Sequence, residues 1–430
     1  MGSARKLLFS LVSGAFLATG AAAQKSEPAV TGWHFTPMPN FYYSTDVGLS
    51  LGAFCDFFNY GDGSEYPNFR DHIGVTATWS SKGAYYAHVL GESKSLIPGL
   101  ELIGSLTYRK APANCFYGYN GYHSPYDSAL DKQKGSDIAY YNNERELLRA
   151  AATVKGRMPD FLPEQLNWTA GFLLRSIRYQ DHSITGCVSG DVRSLFHDYK
   201  AAGLIPDDQA SGGVSLEGRI GLTWDSRDVD WVPSRGLYAE LYLNVNGDFS
   251  DFRRNYGQLV AHVRHFVPVL PDRMTFAYHL GFQQEVFGQM PWYNLNEIST
   301  LTYLYEESEG LGSRYTMRGL LYNRIMAAGY AWGNFELRTR VWSLDLLNRH
   351  FDIVLNPFFD AGTVTRFYRL EEQKALPALY TDSRRRVFMS AGLGAKLQMN
   401  TNFILSMEIG RGFDKEVGNL TFSMSTTYLF

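Results

Sequence analysis

Apolar and polar residues alternate one by one along much of this chain. Ile73, Val75, Ala77 and Trp79 interleave with His72, Gly74, Thr76 and Thr78. Leu166, Trp168, Ala170, Phe172 and Leu174 alternate with Asn167, Thr169, Gly171 and Arg175. From Val387 to Met399 an unbroken apolar file faces away from Ser390, Gly392, Gly394, Lys396 and Gln398. A period of two means a strand with one apolar side. Followed to the end, the pattern predicts sixteen strands, at 36–43, 47–58, 72–82, 84–93, 100–111, 146–156, 166–179, 214–226, 236–246, 254–267, 272–287, 329–343, 350–362, 386–399, 402–411 and 420–430.

The connections between these strands fall into two classes. Every odd-to-even connection lies at one end of the array, and these include the four longest, 112–145, 180–213, 288–328 and 363–385. Even-to-odd turns such as 159–165, 270–273 and 400–401 are short, with 59–71 a longer exception. An even strand count with short turns at one end and long loops at the other fits an outer-membrane barrel with both termini in the periplasm. The polar faces carry Glu217, Arg219, Lys396 and Glu408. Such charges are costly against lipid and acceptable on a hydrated inner wall.

A soluble sandwich shows the same period, so alternation alone does not choose between them. The last segment helps more. Leu420, Phe422, Met424, Tyr428 and Phe430 share one face, and the strand closes on an aromatic residue. In water that edge would invite aggregation, whereas against lipid it is at home. The expected fold class is all-β, a 16-stranded antiparallel transmembrane β-barrel of the outer-membrane type.

The other end agrees. Arg5 and Lys6 precede an apolar stretch from Leu7 to Gly20, followed by Ala21-Ala22-Ala23. This reads as a secretory signal peptide over 1–23, cleaved before Gln24 and too short to span as a helix. Residues 24–34 then form a short periplasmic segment, and 35–430 the barrel. No later stretch approaches the roughly 18 continuous apolar residues of a spanning helix. Tyr and Phe number 28 each, which suits interfacial girdles. A net charge of −3 makes no case for nucleic acid as a partner. Cys55, Cys115 and Cys187 match no metal-binding spacing. Cys115 and Cys187 fall in predicted outer loops and can pair in an oxidising compartment; three unrelated thiols is the other reading. There is no Gly-x-Ser-x-Gly elbow, no His-Glu-x-x-His and no obvious triad, so neither enzyme activity nor a cofactor is expected.

Four motifs in the carboxy-terminal half add a resemblance. Gly312-Ser-Arg-Tyr-Thr-Met-Arg-Gly-Leu-Leu-Tyr322 precedes strand twelve, which contains Ala331-Trp-Gly-Asn-Phe-Glu-Leu-Arg338. The next strand ends Phe358-Phe-Asp-Ala-Gly-Thr-Val364, and Asp225-Ser-Arg-Asp228 with Pro233-Ser-Arg-Gly-Leu-Tyr238 marks an inner hairpin. In their order, with a matching strand number and carboxyl terminus, these segments resemble the BamA/TamA (bacterial surface antigen) superfamily of sixteen-stranded barrels, which insert or translocate other proteins. The resemblance implies that Met317-Arg318-Gly319-Leu320, the tip of a long loop six, folds back into the lumen. It further implies that Arg318 meets Glu336 and Asp360 on the inner wall. Parity agrees: Trp332, Asn334, Glu336 and Arg338 share a face, as do Phe358 and Asp360. A guanidinium forked between carboxylates makes strong charge-assisted bonds, which offset the ordering entropy of an inserted loop. Gly319 lets the backbone turn beside the wall. Met317 and Leu320 depart from the family pattern of valine and an aromatic.

Assembly factors of that superfamily normally carry POTRA modules ahead of the barrel, and 24–34 leaves no room for one. The expectation is a POTRA-less member acting without enzymatic chemistry in outer-membrane protein insertion or translocation. Its expected surroundings are outer-membrane lipids, POTRA-bearing or other periplasmic subunits, and client outer-membrane proteins. The site would be a weak lateral seam between the first strand, where Pro37 and Pro39 remove ladder donors, and the last, with Tyr428 and Phe430. The alternative is a passive pore or structural outer-membrane protein.

Overall fold

The computed structural model describes residues 30–430 apart from 45–47, 67, 82, 132–138, 182–193, 230–231, 249–253, 302–309, 313–314, 347–348, 400–402, 419 and 426–427. The expected signal peptide at 1–23, most of the segment 24–34, and Cys187 with its possible pairing to Cys115 lie outside the described residues. The strands are β1 (Trp33–Ser44), β2 (Gly48–Asn59), β3 (Asp71–Ser80), β4 (Tyr85–Ile97), β5 (Leu100–Cys115) and β6 (Asn142–Arg157). Then come β7 (Leu166–Asp181), β8 (Gly212–Asp225), β9 (Gly236–Asp248), β10 (Tyr256–Leu270) and β11 (Met274–Gly288). The last five are β12 (Gly329–Leu346), β13 (Arg349–Arg366), β14 (Val387–Met399), β15 (Phe403–Gly412) and β16 (Leu420–Ser425). They form one sixteen-stranded sheet in which each strand pairs antiparallel with the next in chain order.

The faces of the strands are turned inside out relative to a soluble protein. On β8, Val214, Leu216, Ile220 and Leu222 are exposed, whereas Ser215, Glu217, Arg219 and Thr223 are buried. An apolar outer file around a polar interior is the arrangement a lipid-spanning barrel requires, because all backbone bonds are met between strands. Among the described residues no helix is long and apolar enough to cross a membrane. The expected strand count and connection classes match the structure. Several boundaries move outward, among them those of β5, β12 and β13. β5 continues to Cys115, which closes the strand, buried, instead of lying in a loop. β12 and β13 reach 18 residues each, well beyond the roughly 9–11 that span a bilayer.

The long outer connections roof the barrel. Phe116 and Tyr119 from the first of them pack edge to face on Tyr199 of a short helix (Leu195–Ala201) in the second. Tyr368 of the fourth packs on Tyr119, and Trp292 of loop six on Phe116. Asn120 donates to Gln373 at 2.8 Å and its backbone N–H to the Met326 carbonyl at 2.7 Å. Arg324 is fully buried there, donating to the carbonyls of Gly121, Ser124 and Glu416, with its guanidinium near the rings of Tyr117 and Tyr126. At the opposite end, the long 59–71 turn carries a small core of Phe58, Tyr60 and Phe69. It ties down the entry to β1 through Gly32, whose N–H donates to Gly61 and whose carbonyl accepts from Tyr60.

Candidate functional site: a lumen lock and a strand edge

Loop six, residues 289–328, enters the barrel instead of standing above it. Its tip is fixed by Arg318, which is 3% exposed. The guanidinium donates twice to Asp360, from Nε at 3.0 Å and from Nη2 at 2.8 Å, and the Arg318 backbone N–H adds a third bond to that carboxylate at 3.0 Å. Nη1 donates to Glu336 and, at 3.2 Å, to Glu408. The cation lies 3.6 Å over the Phe358 ring. Burial alone would lower the Arg318 pKa, but Asp360, Glu408 and Glu336 outweigh it and hold the group firmly charged. The structure thus places Arg318, Glu336 and Asp360 together, on the faces that strand parity assigns.

The network is larger than that triad. Glu336 also accepts from Arg338 Nε at 2.8 Å, and Glu408 from Lys396 Nζ at 2.9 Å and Asn356 Nδ2 at 3.1 Å. Three cations face three carboxylates, so the buried charge balances and most lone pairs are met. Glu408 is the residue that sequence reasoning left out of the lock. Its inner-face parity two strands from Asp360 was visible, but no motif marked it. Gly319 has φ +84°, and a Cβ there would come within 3 Å of the Arg411 backbone. Its carbonyl accepts from Gly412 N–H at 2.8 Å, and its own N–H donates to Thr421 Oγ1 at 3.0 Å. Met317 and Leu320, the departures from the family pattern, are both buried with Tyr330, Trp332 and Phe388. An aliphatic tip therefore packs where an aromatic was the pattern.

The end of the chain corrects one expectation. Leu420, Phe422 and Met424 are exposed on β16 as the alternation requires, but Tyr428 and Phe430 are not on the lipid face or the seam. The described part of β16 ends at Ser425; Tyr428, Leu429 and Phe430 lie outside any strand and are buried in the lumen, the last two against Phe266 and Ala277. The cause is Arg338, whose Nη2 donates to the Phe430 carbonyl at 2.9 Å while its guanidinium stacks 4.2 Å over Tyr428. A cation and an aromatic floor inside the barrel outcompete lipid for these rings. Arg338 thereby joins the lock carboxylate Glu336 to the chain end.

The strand edges are uneven. Pro37 and Pro39 lie on β1, two apart, so both missing donors fall on one edge, while the ladder to β2 runs unbroken from Trp33 to Ser44. β16 pairs with β15 through six residues, Leu420 to Ser425. Among the described residues no ladder joins β16 to β1. Also among them, no group of His, Cys, Asp and Glu could hold a metal ion.

Sheet, roof and inserted loop together define an outer-membrane-type barrel with an internal plug. Comparison with known families places it further: residues 72–428 match the Omp85 superfamily domain, and the chain belongs to that superfamily. Its members' barrels lie in the outer membrane. Among solved structures, BamA from Haemophilus ducreyi lacking POTRA domains 1–3 aligns with 98% of this chain and 78% of its own at 14% identity, TM-score 0.53. CdiB from Escherichia coli aligns with 93% of this chain at 11% identity, TM-score 0.53. The chain spans 62% of CdiB, less than two thirds of it. At such identities the likeness is one of fold. A comparison with curated proteins found no match.

Proposed function

We propose that this protein acts in outer-membrane protein insertion or translocation, through an edge between β1 and β16 and without enzymatic chemistry. The observation that carries this reading is the contrast between a lumen held shut by loop six and a sheet edge with β16 paired over six residues and β1 donor-poor. An open edge offers unpaired N–H and C=O groups, the template for adding a strand from another chain. The leader at 1–23 would be removed on export, and POTRA-bearing or periplasmic subunits would deliver clients.

The passive-pore reading fares worse against the packed roof of outer connections and the inserted loop. The test is depletion of the protein in its own cells, followed by the abundance of other outer-membrane barrels. Their decline supports the assembly role. Unchanged barrel levels, together with single-channel conductance in the purified protein, would replace it with the pore.

A further inference from the structure

The wall opposite the lock has the reverse polarity. On β6 to β10 the buried inward residues Arg145, Arg149, Arg175, Arg219 and Arg264 outnumber the carboxylates Glu217 and Glu240. Loop six supplies a counter-charge as it descends: Glu297 receives Arg145 Nη2 on one oxygen and lies 3.4 Å from Arg175 Nε with the other. Arg175 also pairs with Glu217 at 3.0 Å, and Arg219 with Glu217 at 2.8 Å. The wall is therefore already seen gripping a carboxylate brought from outside its own strands.

Arg149 stands apart from this. It is 8% exposed, and its Nε is buried with no hydrogen-bond partner. Its cross-strand neighbours are Arg175 on one side and Thr107 on the other. Thr107 Oγ1 is engaged with His88 Nδ1 at 3.0 Å. Two guanidiniums directly opposite on one face repel, and a buried charge lacking a partner is costly. Such a pair is stable when a shared anion sits between the two forks, since guanidinium matches carboxylate and phosphate geometry.

We propose that Arg149 and Arg175 form an oxyanion-binding site in the lumen, for a carboxylate or phosphate group. The site follows from these residues alone. Only one possible source of the anion, an acidic side chain of a polypeptide within the lumen, rests on the function proposed above. The other source is a small free anion.

The test uses the full-length protein in detergent, with inorganic phosphate titrated against chloride at constant ionic strength in the low millimolar range. A short glutamate-rich peptide is titrated in parallel, and the thermal midpoint of barrel unfolding is read. Wild type should show a saturable rise, and R149Q should lose it or weaken half-saturation by roughly tenfold, the worth of one charge-assisted bond. R149K should fall between them. In chloride alone R149Q should melt no lower than wild type, because it removes a repulsion. A response to phosphate alone assigns a small-anion site, and a response to the peptide, with or without phosphate, assigns a polypeptide ligand. No saturable rise with either probe, or an equal rise in R149Q, overturns the site and leaves the proposed function standing.

Discussion

The β12–β13 wall and the β15–β16–β1 edge are built from the same alternation but to different lengths. β12 and β13 have 18 residues each, and β15 and β16 have 10 and 6. A spanning strand needs roughly 9–11 residues, so the first pair stands well clear of the lipid, β15 just reaches that length, and the described part of β16 falls short of it. The ionic network follows the same division. Glu336 and Asp360, on the long strands, take most of the Arg318 donors. The edge contributes Glu408 from β15 and a threonine hydroxyl from β16. Loop six is thus bolted to the firm wall and leans on the weak one. Movement at the edge need not undo the lock.

The largest effect expected from breaking this contrast is that of Arg318→Ala. It leaves Glu336, Asp360 and Glu408 without their shared cation, and removing one partner of a buried ion pair costs about 3–5 kcal/mol. The variant should lose heat-modifiability at lower temperature and become cleavable in loop six. Unchanged protease resistance would show that the firm wall does not depend on the guanidinium. Arg318→Lys should recover only part of the loss, since an ammonium cannot reproduce the fork on Asp360.

A smaller effect, about 1–3 kcal/mol, is expected from Arg338→Ala, which frees the Phe430 carbonyl and the Tyr428 ring. Limited proteolysis should then trim residues 428–430 while loop six stays protected, because Arg318 still holds Glu336. Simultaneous exposure of both would mean that wall and edge are one unit. The smallest effect is that of Pro37→Thr with Pro39→Thr. Two donors return to β1, each worth about 0.5–1.5 kcal/mol if paired. Amide exchange in β1 should slow, and unchanged exchange would mean that those donors find no partner across the edge.

Most of the fold was legible because lipid and lumen impose opposite polarities on successive residues, so parity alone locates strands and their faces. The inner positions of Glu336, Asp360 and Phe358 follow from that rule. What parity could not show was where alternation stops governing. Tyr428 and Phe430 continue the apolar file of β16, yet Arg338, some ninety residues earlier in the chain, draws them inward. Glu408 was readable as an inner-face acid, but its approach to Arg318 depends on how deep the loop tip sits. Glu297 lies in a loop with no period at all. Its meeting with Arg145 and Arg175 is set by the path of loop six across the lumen, which no local pattern encodes.

The roof sets an order of events. Strand neighbours are consecutive in the chain, so hairpins can zip one after another as it grows. The roof contacts are of another kind: Asn120 reaches Gln373 across 253 positions, and His123 meets the Thr381 carbonyl across 258. Contacts between such distant residues form late, because closing so long a segment costs entropy before any contact rewards it. A partly synthesised or half-zipped barrel therefore stands open at the top, and the covering forms only after strand thirteen is in place. Sealing of the outer mouth thus waits on the first thirteen strands and the connection that follows them.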